Sequence, residues 1–203
     1  MPTVPPSSGE PHARGSVIHG FRAALVDLWG QEALVALAGK LPLGTRVATV
    51  DALVLPFEWV PLQHVVAWHD AMWAGPCAGD EHALARLVGR SIELGFGRFK
   101  SAFFTNVTPE RLVSRAPELW RWQHTHGELS AYMDGDTAVV ILKDHPYVDE
   151  PTSKRVTAES YRYIITLAGA RDVRVAWGDR LTGPQSRARE LVVQLSWRPA
   201  GPP

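Results

Sequence analysis

The chain has 203 residues, enough to bury one sizeable core, with 45% hydrophobic and 21% charged residues as in ordinary soluble domains. Lys+Arg and Asp+Glu are 21 each, so net charge draws the protein toward neither nucleic acid nor an anionic membrane. The single cysteine, Cys77, excludes an internal disulfide and a multi-cysteine zinc site, and no apolar run is long enough for a membrane-spanning helix.

Residues 1–14 are rich in Pro, Ser and Gly and read as a disordered tail, as do residues 198–203. MPTVPPSSGEPHARG has no apolar core to act as a signal peptide, so a cytoplasmic setting is the simplest expectation. Ser16 is placed to cap a helix with Phe21, Leu25 and Leu28 on one stripe, and Gly30 to close it. A second short helix, Gln31 to Ala38, ends at Gly39. Leu41 to Pro56 has no sustained period and reads as a loop with short pieces. Pro61 then suits a first helical position, and Leu62, Val65, Val66, His69 and Trp73 form one stripe that Trp68 and Met72 widen.

Asp80 is a reasonable N-cap for a long amphipathic helix carrying Leu84, Leu87, Val88, Ile92, Phe96, Phe99 and Phe103. Two Pro-Glu pairs follow, Pro109-Glu110 and Pro117-Glu118, each with a carboxylate in the first turn of a predicted helix. Thr108 caps the first, and Ala116, forced out of the α region by the proline after it, splits the segment in two. Gly127 ends the second helix. Leu129, Ala131 and Met133 alternate with Ser130 and Tyr132 as a half-buried strand, and Asp134-Gly135 marks a tight turn. Thr137 to Leu142 is an almost unbroken β-branched and aliphatic run, the pattern of a central strand covered on both faces. Thr157 is the predicted N-cap of a further helix burying Ile164, Ile165 and Ala168. Val173, Val175 and Trp177 alternate as a third strand, and Leu191, Val193, Leu195 and Trp197 as a fourth. The expected architecture is a single α+β domain over 15–197. An N-terminal helical layer packs on a four-stranded antiparallel sheet built as hairpin, helix, hairpin.

The phrases LVGRSIELGFGRFKSAF, TPERLVSRAPELWRWQHTHGELS, DHPYV and ESYRYIITLAGARDVRVAWG resemble an uncharacterised paralogous family abundant in myxobacteria. Through its element order that family is similar to the NO-signalling and Golgi-transport ligand-binding superfamily, which includes haem-NO/oxygen sensor domains, 4-vinyl-reductase-type domains and Bet3-type tethering subunits. The resemblance covers about 60% of the chain, and the superfamily step, which rests on element order, implies a ligand-binding module. Three departures qualify it. The Tyr-x-Ser-x-Arg signature that holds haem propionates is absent, and the second strand reads TAVVILKD instead. The several cysteines of the 4-vinyl-reductase type are absent. For the acyl-carrying cysteine of the Bet3 type the one candidate is Cys77, in a Gly/Pro loop.

Among residues with chemistry to offer, His124 and His126 flank Thr125 and would share a side in a strand but diverge at a helix end. The favoured reading is helix-end imidazoles that complement the dipole, with no metal. His145 beside Asp144 could be a base with its orienter, though a loop stiffened by Pro146, with Tyr147 packed on the hairpin, is favoured. His69 shares an enclosed stripe with Trp68, Met72 and Trp73 and reads first as a hydrogen-bonded core histidine. Eight tryptophans suit either a core or an apolar ligand pocket. No nucleotide-binding, P-loop or nucleophile-elbow motif occurs.

The chain is therefore expected to be a non-catalytic sensory, regulatory or scaffold module. It would hold a small apolar ligand or a protein partner through Trp68, His69, Met72, Trp73, Phe96, Phe99 and Trp120, with no cofactor, no nucleic acid and no membrane insertion. The alternative is a haem- or metal-binding protein or enzyme using His69 or the His124/His126 pair. Covering both faces of the Thr137–Leu142 strand further predicts a homodimer, with the Trp120/Trp122 helix or the first hairpin at the contact.

Overall fold

The computed structural model describes residues 6, 9–96, 107–181 and 189–198 and divides into two compact units, 1–97 and 98–203, where the sequence reads as one domain. The first unit opens with β1 (His12–Arg14), inside the stretch expected to be a tail. It pairs antiparallel with β2 (Trp59–Pro61), Ala13 opposite Val60. The Arg14 guanidinium donates to the Phe57 carbonyl at 2.7 Å and lies 3.7 Å over the Trp59 ring, so the strand is pinned by side chain as well as backbone. Three residues are too few to show a period, which is why composition alone concealed this strand.

Helix α1 (Ser16–Ala38) joins the two predicted helices across a kink at Gly30, whose φ of +81° a residue with a Cβ rarely adopts. Ser16 opens the helix rather than capping it, since Gly15 stands at the N-cap. Within Leu41–Pro56 the chain forms α2 (Leu43–Arg46) and one wide π turn (Val47–Asp51). The Thr49 hydroxyl donates to the Thr45 carbonyl at 2.6 Å, and Arg22 donates to the Thr49 carbonyl at 3.0 Å. Long-range side-chain bonds hold this segment, so local propensity does not announce it.

Helix α3 (Leu62–Ala74) follows Pro61, which ends β2 and stands at the N-cap instead of the expected first helical position, and α4 (Glu81–Phe96) follows Asp80, whose carboxylate accepts the His82 N–H at 2.8 Å. Ile18, Phe21 and Leu25 of α1 and Leu84, Leu87 and Val88 of α4 are all buried, and α1 packs on α4. A Cβ on Gly20 would fall 2.6 Å from the Ser91 carbonyl oxygen, so the two backbones come close. No helix among the described residues is long and apolar enough to cross a membrane.

The second unit begins with α5 (Pro109–Gln123), one helix where the proline at 117 predicts two. Pro117 removes one N–H and strains the turn before it, yet buried Leu112 and Val113 precede it and buried Trp120 follows, so packing on both sides keeps the helix continuous. Thr108 caps it as expected, accepting from the Arg111 N–H. The hairpin of β3 (Glu128–Asp134) and β4 (Thr137–Lys143) pairs Asp134 with Thr137, so the two turn residues are Gly135 and Asp136. A short 3₁₀ turn (Pro146–Val148) leads to α6 (Pro151–Leu167), which begins six residues before the predicted cap Thr157. Pro151 supplies the first helical position instead, and Thr157 is buried inside the helix. Strands β5 (Arg171–Leu181) and β6 (Arg189–Arg198) complete an antiparallel sheet of order β3-β4-β6-β5. Helix α5 packs on β3 and α6 on β5. The fold is thus α+β with a four-stranded antiparallel sheet, as the sequence predicts.

Gly127 joins α5 to β3 at φ +86°, and a Cβ there would stand 2.9 Å from that of His145. Gly127→Ala meets both backbone strain and a side chain with little room to give. Urea denaturation should show a loss of about 1–3 kcal/mol, whereas an unchanged midpoint would mean that the joint relaxes freely.

Candidate functional site

The residues expected to line a ligand site fall into both units. In the first, α3 carries Trp68, His69, Met72 and Trp73. Trp68 and Met72 are 0% exposed and His69 1%, while Trp73 is half-buried. The Trp68 indole N–H donates to the Thr49 hydroxyl at 2.8 Å, and that hydroxyl passes its own proton to the Thr45 carbonyl. Thr45 in turn shares a 2.9 Å hydrogen bond with Nδ1 of His64. These threonines went unnoticed in the sequence because they lie in the stretch without a period. The His69 ring packs edge-on against Phe21, centroids 5.6 Å apart. Desolvation pushes its pKa down to about 3, so the imidazole is neutral at physiological pH. Phe96 ends α4, its side chain outside the described set, and Phe99 lies outside the described residues altogether.

In the second unit Trp120 is the centre of a tighter arrangement. His124 follows it by four residues, one helical turn, and the two rings stack with centroids 3.8 Å apart and planes 18° from parallel. His145 meets both edge-on, at 4.9 Å from Trp120 and 5.2 Å from His124. Tyr147 packs against His145 at 4.4 Å and against His124 at 5.7 Å. The Trp120 indole N–H donates to the His126 carbonyl at 3.0 Å, tying the helix end to the turn that follows. The Tyr147 backbone N–H donates to His145 Nδ1 at 3.2 Å, which places the proton of a neutral His145 on Nε2. Burial pushes the Tyr147 phenol up, so it stays protonated.

The structure adds a partner to the histidine that was read as a helix-end imidazole. His124 is brought to His145, not to His126, whose Nδ1 bonds the Thr125 hydroxyl at 2.8 Å. Asp144 is exposed with a left-handed φ of +50°, while His145 is buried among rings. The Trp120–His124 spacing of four on a helix was the legible signal. The arrival of His145 depends on strand register and was not. Among the described residues no group of three or more His, Cys, Asp or Glu could hold a bare metal ion.

No protein-family model matches the chain, and no curated protein matches it in sequence. Solved structures do. An oxygen-binding H-NOX domain related to soluble guanylate cyclases, in its oxygen complex, superposes with a TM-score of 0.57 at 11% identity, covering 94% of this chain and 98% of that one. A mutant H-NOX of T. tengcongensis gives 0.61 at 12% identity over 93% and 99% of the two chains. The Fe(II) unliganded H-NOX protein from K. algicida gives 0.58 at 6% identity over 91% and 96%. The fold is H-NOX-like. At these identities the likeness shows the fold alone.

The buried His69 has a direct consequence for stability. Its pKa is about 3 in the folded chain against about 6.5 when unfolded. The stability it contributes is therefore complete above about pH 6.5 and is lost as pH falls toward 3, by up to ~1.4 kcal/mol per pH unit. Replacing it with a neutral residue of similar size, His69→Leu, should flatten the stability profile between pH 6.5 and 5, where carboxylates contribute little. Parallel slopes for the two proteins in urea melts would show that His69 is solvated.

Proposed function

We propose that this chain is a non-catalytic sensor domain of the H-NOX-like fold that takes haem through an imidazole of its second unit. The likeness over more than nine-tenths of the chain to structures described as oxygen-binding and Fe(II) H-NOX carries the reading. It favours the haem alternative over an unspecified apolar ligand or a scaffold.

The donor set suits haem better than a bare metal. Haem brings four nitrogens of its own to the iron, so one imidazole from the protein is enough, whereas a bare ion needs a cluster of donors that the described residues lack. His124 is the residue that would supply it, being half-buried within an aromatic cage, while His69 is enclosed by the packed interior of its own unit. Haem, when bound, supplies an iron that accepts a small gas as a further ligand. The chain's own residues do the positioning. Trp120 fixes the plane of the His124 ring by stacking, and its N–H fixes the turn. His145 and the neutral Tyr147 phenol close the sides of the cage and keep its dielectric low. With no Tyr-x-Ser-x-Arg in the sequence, propionates would depend on other donors.

Absorbance during haemin titration of the purified chain tests this. Wild type and His69→Leu should develop the intense near-ultraviolet band of ligated haem, and His124→Ala should lose the spectrum of imidazole ligation. A flat titration, or an identical spectrum in His124→Ala, would remove the reading.

A further inference from the structure

Strand β5 is eleven residues long and forms an edge of the sheet, with β6 on one side and no strand among the described residues on the other. None of residues 171–179 is buried. An edge of this length presents a row of backbone donors and acceptors and is ordinarily covered or blunted. Blunting is confined to its start, where a register shift between Arg171 and Arg174 and a left-handed Asp172 disturb the ladder. From Arg174 to Leu181 the pairing with β6 is regular.

We infer that β5 is the contact through which a second copy of this chain docks, β5 against β5 about a twofold axis at Ala176, giving one sheet of twice the width. Two features of the strand are complementary to themselves in that register, which pairs residues whose numbers sum to twice 176. Val175 faces the partner copy's Trp177, on the face where these residues also oppose Leu195 and Val193 of β6. Trp177 is 38% exposed with the Arg155 guanidinium 5.5 Å over its ring, and the pairing covers what remains open of the indole on each copy. On the opposite face Arg174 meets Gly178 of the other copy. Around Gly178 lies a shallow groove of about 260 Å³ lined by Ala176, Trp177, Asp179, Val192 and Gln194 as well, and a Cβ on Gly178 would meet nothing within 4 Å. The aliphatic stem of an arginine fits such a trough while its guanidinium reaches polar atoms at the rim. Shifting the axis by one residue to Trp177 would set Val175 against the Asp179 carboxylate, so the apolar pairing selects the register.

This contact differs from the one expected on the Trp120/Trp122 helix or the first hairpin. Trp120 is 7% exposed within its own unit and β4 is buried from Ala138 to Leu142, while Trp122 at 60%, Tyr132 at 49% and Met133 at 36% are open on the helix and on β3, the other edge of the sheet.

Light scattering on the full chain at micromolar concentrations should give twice the 22.3 kDa chain mass. Gly178→Arg meets open space in the single copy but sets two arginines against each other in the pair. It should keep its circular dichroism and weaken association about tenfold or more. Ala176→Cys puts two thiols across the axis at a separation suited to a disulfide. Mild oxidation should therefore cross-link it, while Tyr132→Cys on β3 should stay single and native Cys77, 1% exposed, should not contribute. A mass of one chain at every concentration overturns the proposal. So does a dimer that Gly178→Arg leaves intact and Ala176→Cys fails to trap.

Discussion

Strand β4 is buried without interruption from Ala138 to Leu142, and the arrangement of the second unit follows from that. A strand enclosed on both faces has no water to satisfy its backbone, so it needs a hydrogen-bonded neighbour on each side. β3 supplies one through the two-residue turn at Gly135, and β6 supplies the other from the far end of the chain. Placing β6 there makes the connection pass through α6 and leaves β5 outside. The open edge is thus a consequence of the central strand.

The same register builds the imidazole cage. Glu128 pairs with Lys143, so the entry to β3 and the exit from β4 lie side by side. Gly127 lies one residue outside β3 and His145 two residues beyond β4, and the lack of a side chain on Gly127 leaves room for the His145 ring. Trp120 and His124, one turn apart at the end of α5, then meet that ring from the helix side. A glycine that appears only to end a helix also sets the distance between two imidazoles.

The first unit solves a different problem. Burying an indole such as Trp68 strands an N–H that must find an acceptor. Thr49 provides it from the π turn, and Arg22 and Thr45 hold that turn in place. A segment without hydrophobic period is therefore ordered by polar contacts to helices on either side of it in sequence. His69, next to Trp68, is kept neutral by the same exclusion of water.

Local chemistry determined much of this by itself. Periods of two and of 3.6, prolines at first helical positions and the Gly135 turn were enough to locate α3, α4 and all four strands of the main sheet, and to mark β4 as central. The chain's composition likewise excluded disulfides and a cysteine-rich metal site. Tertiary structure alone decided the continuity of α5 across Pro117, the strand at His12–Arg14, and the partnering of His124 with His145 instead of His126. Each depends on contacts between segments distant in sequence, whose packing outweighs preferences of about 1 kcal/mol per residue. A period shows that a face is buried. What lies against it is set by register and strand order, which no single stretch of sequence contains.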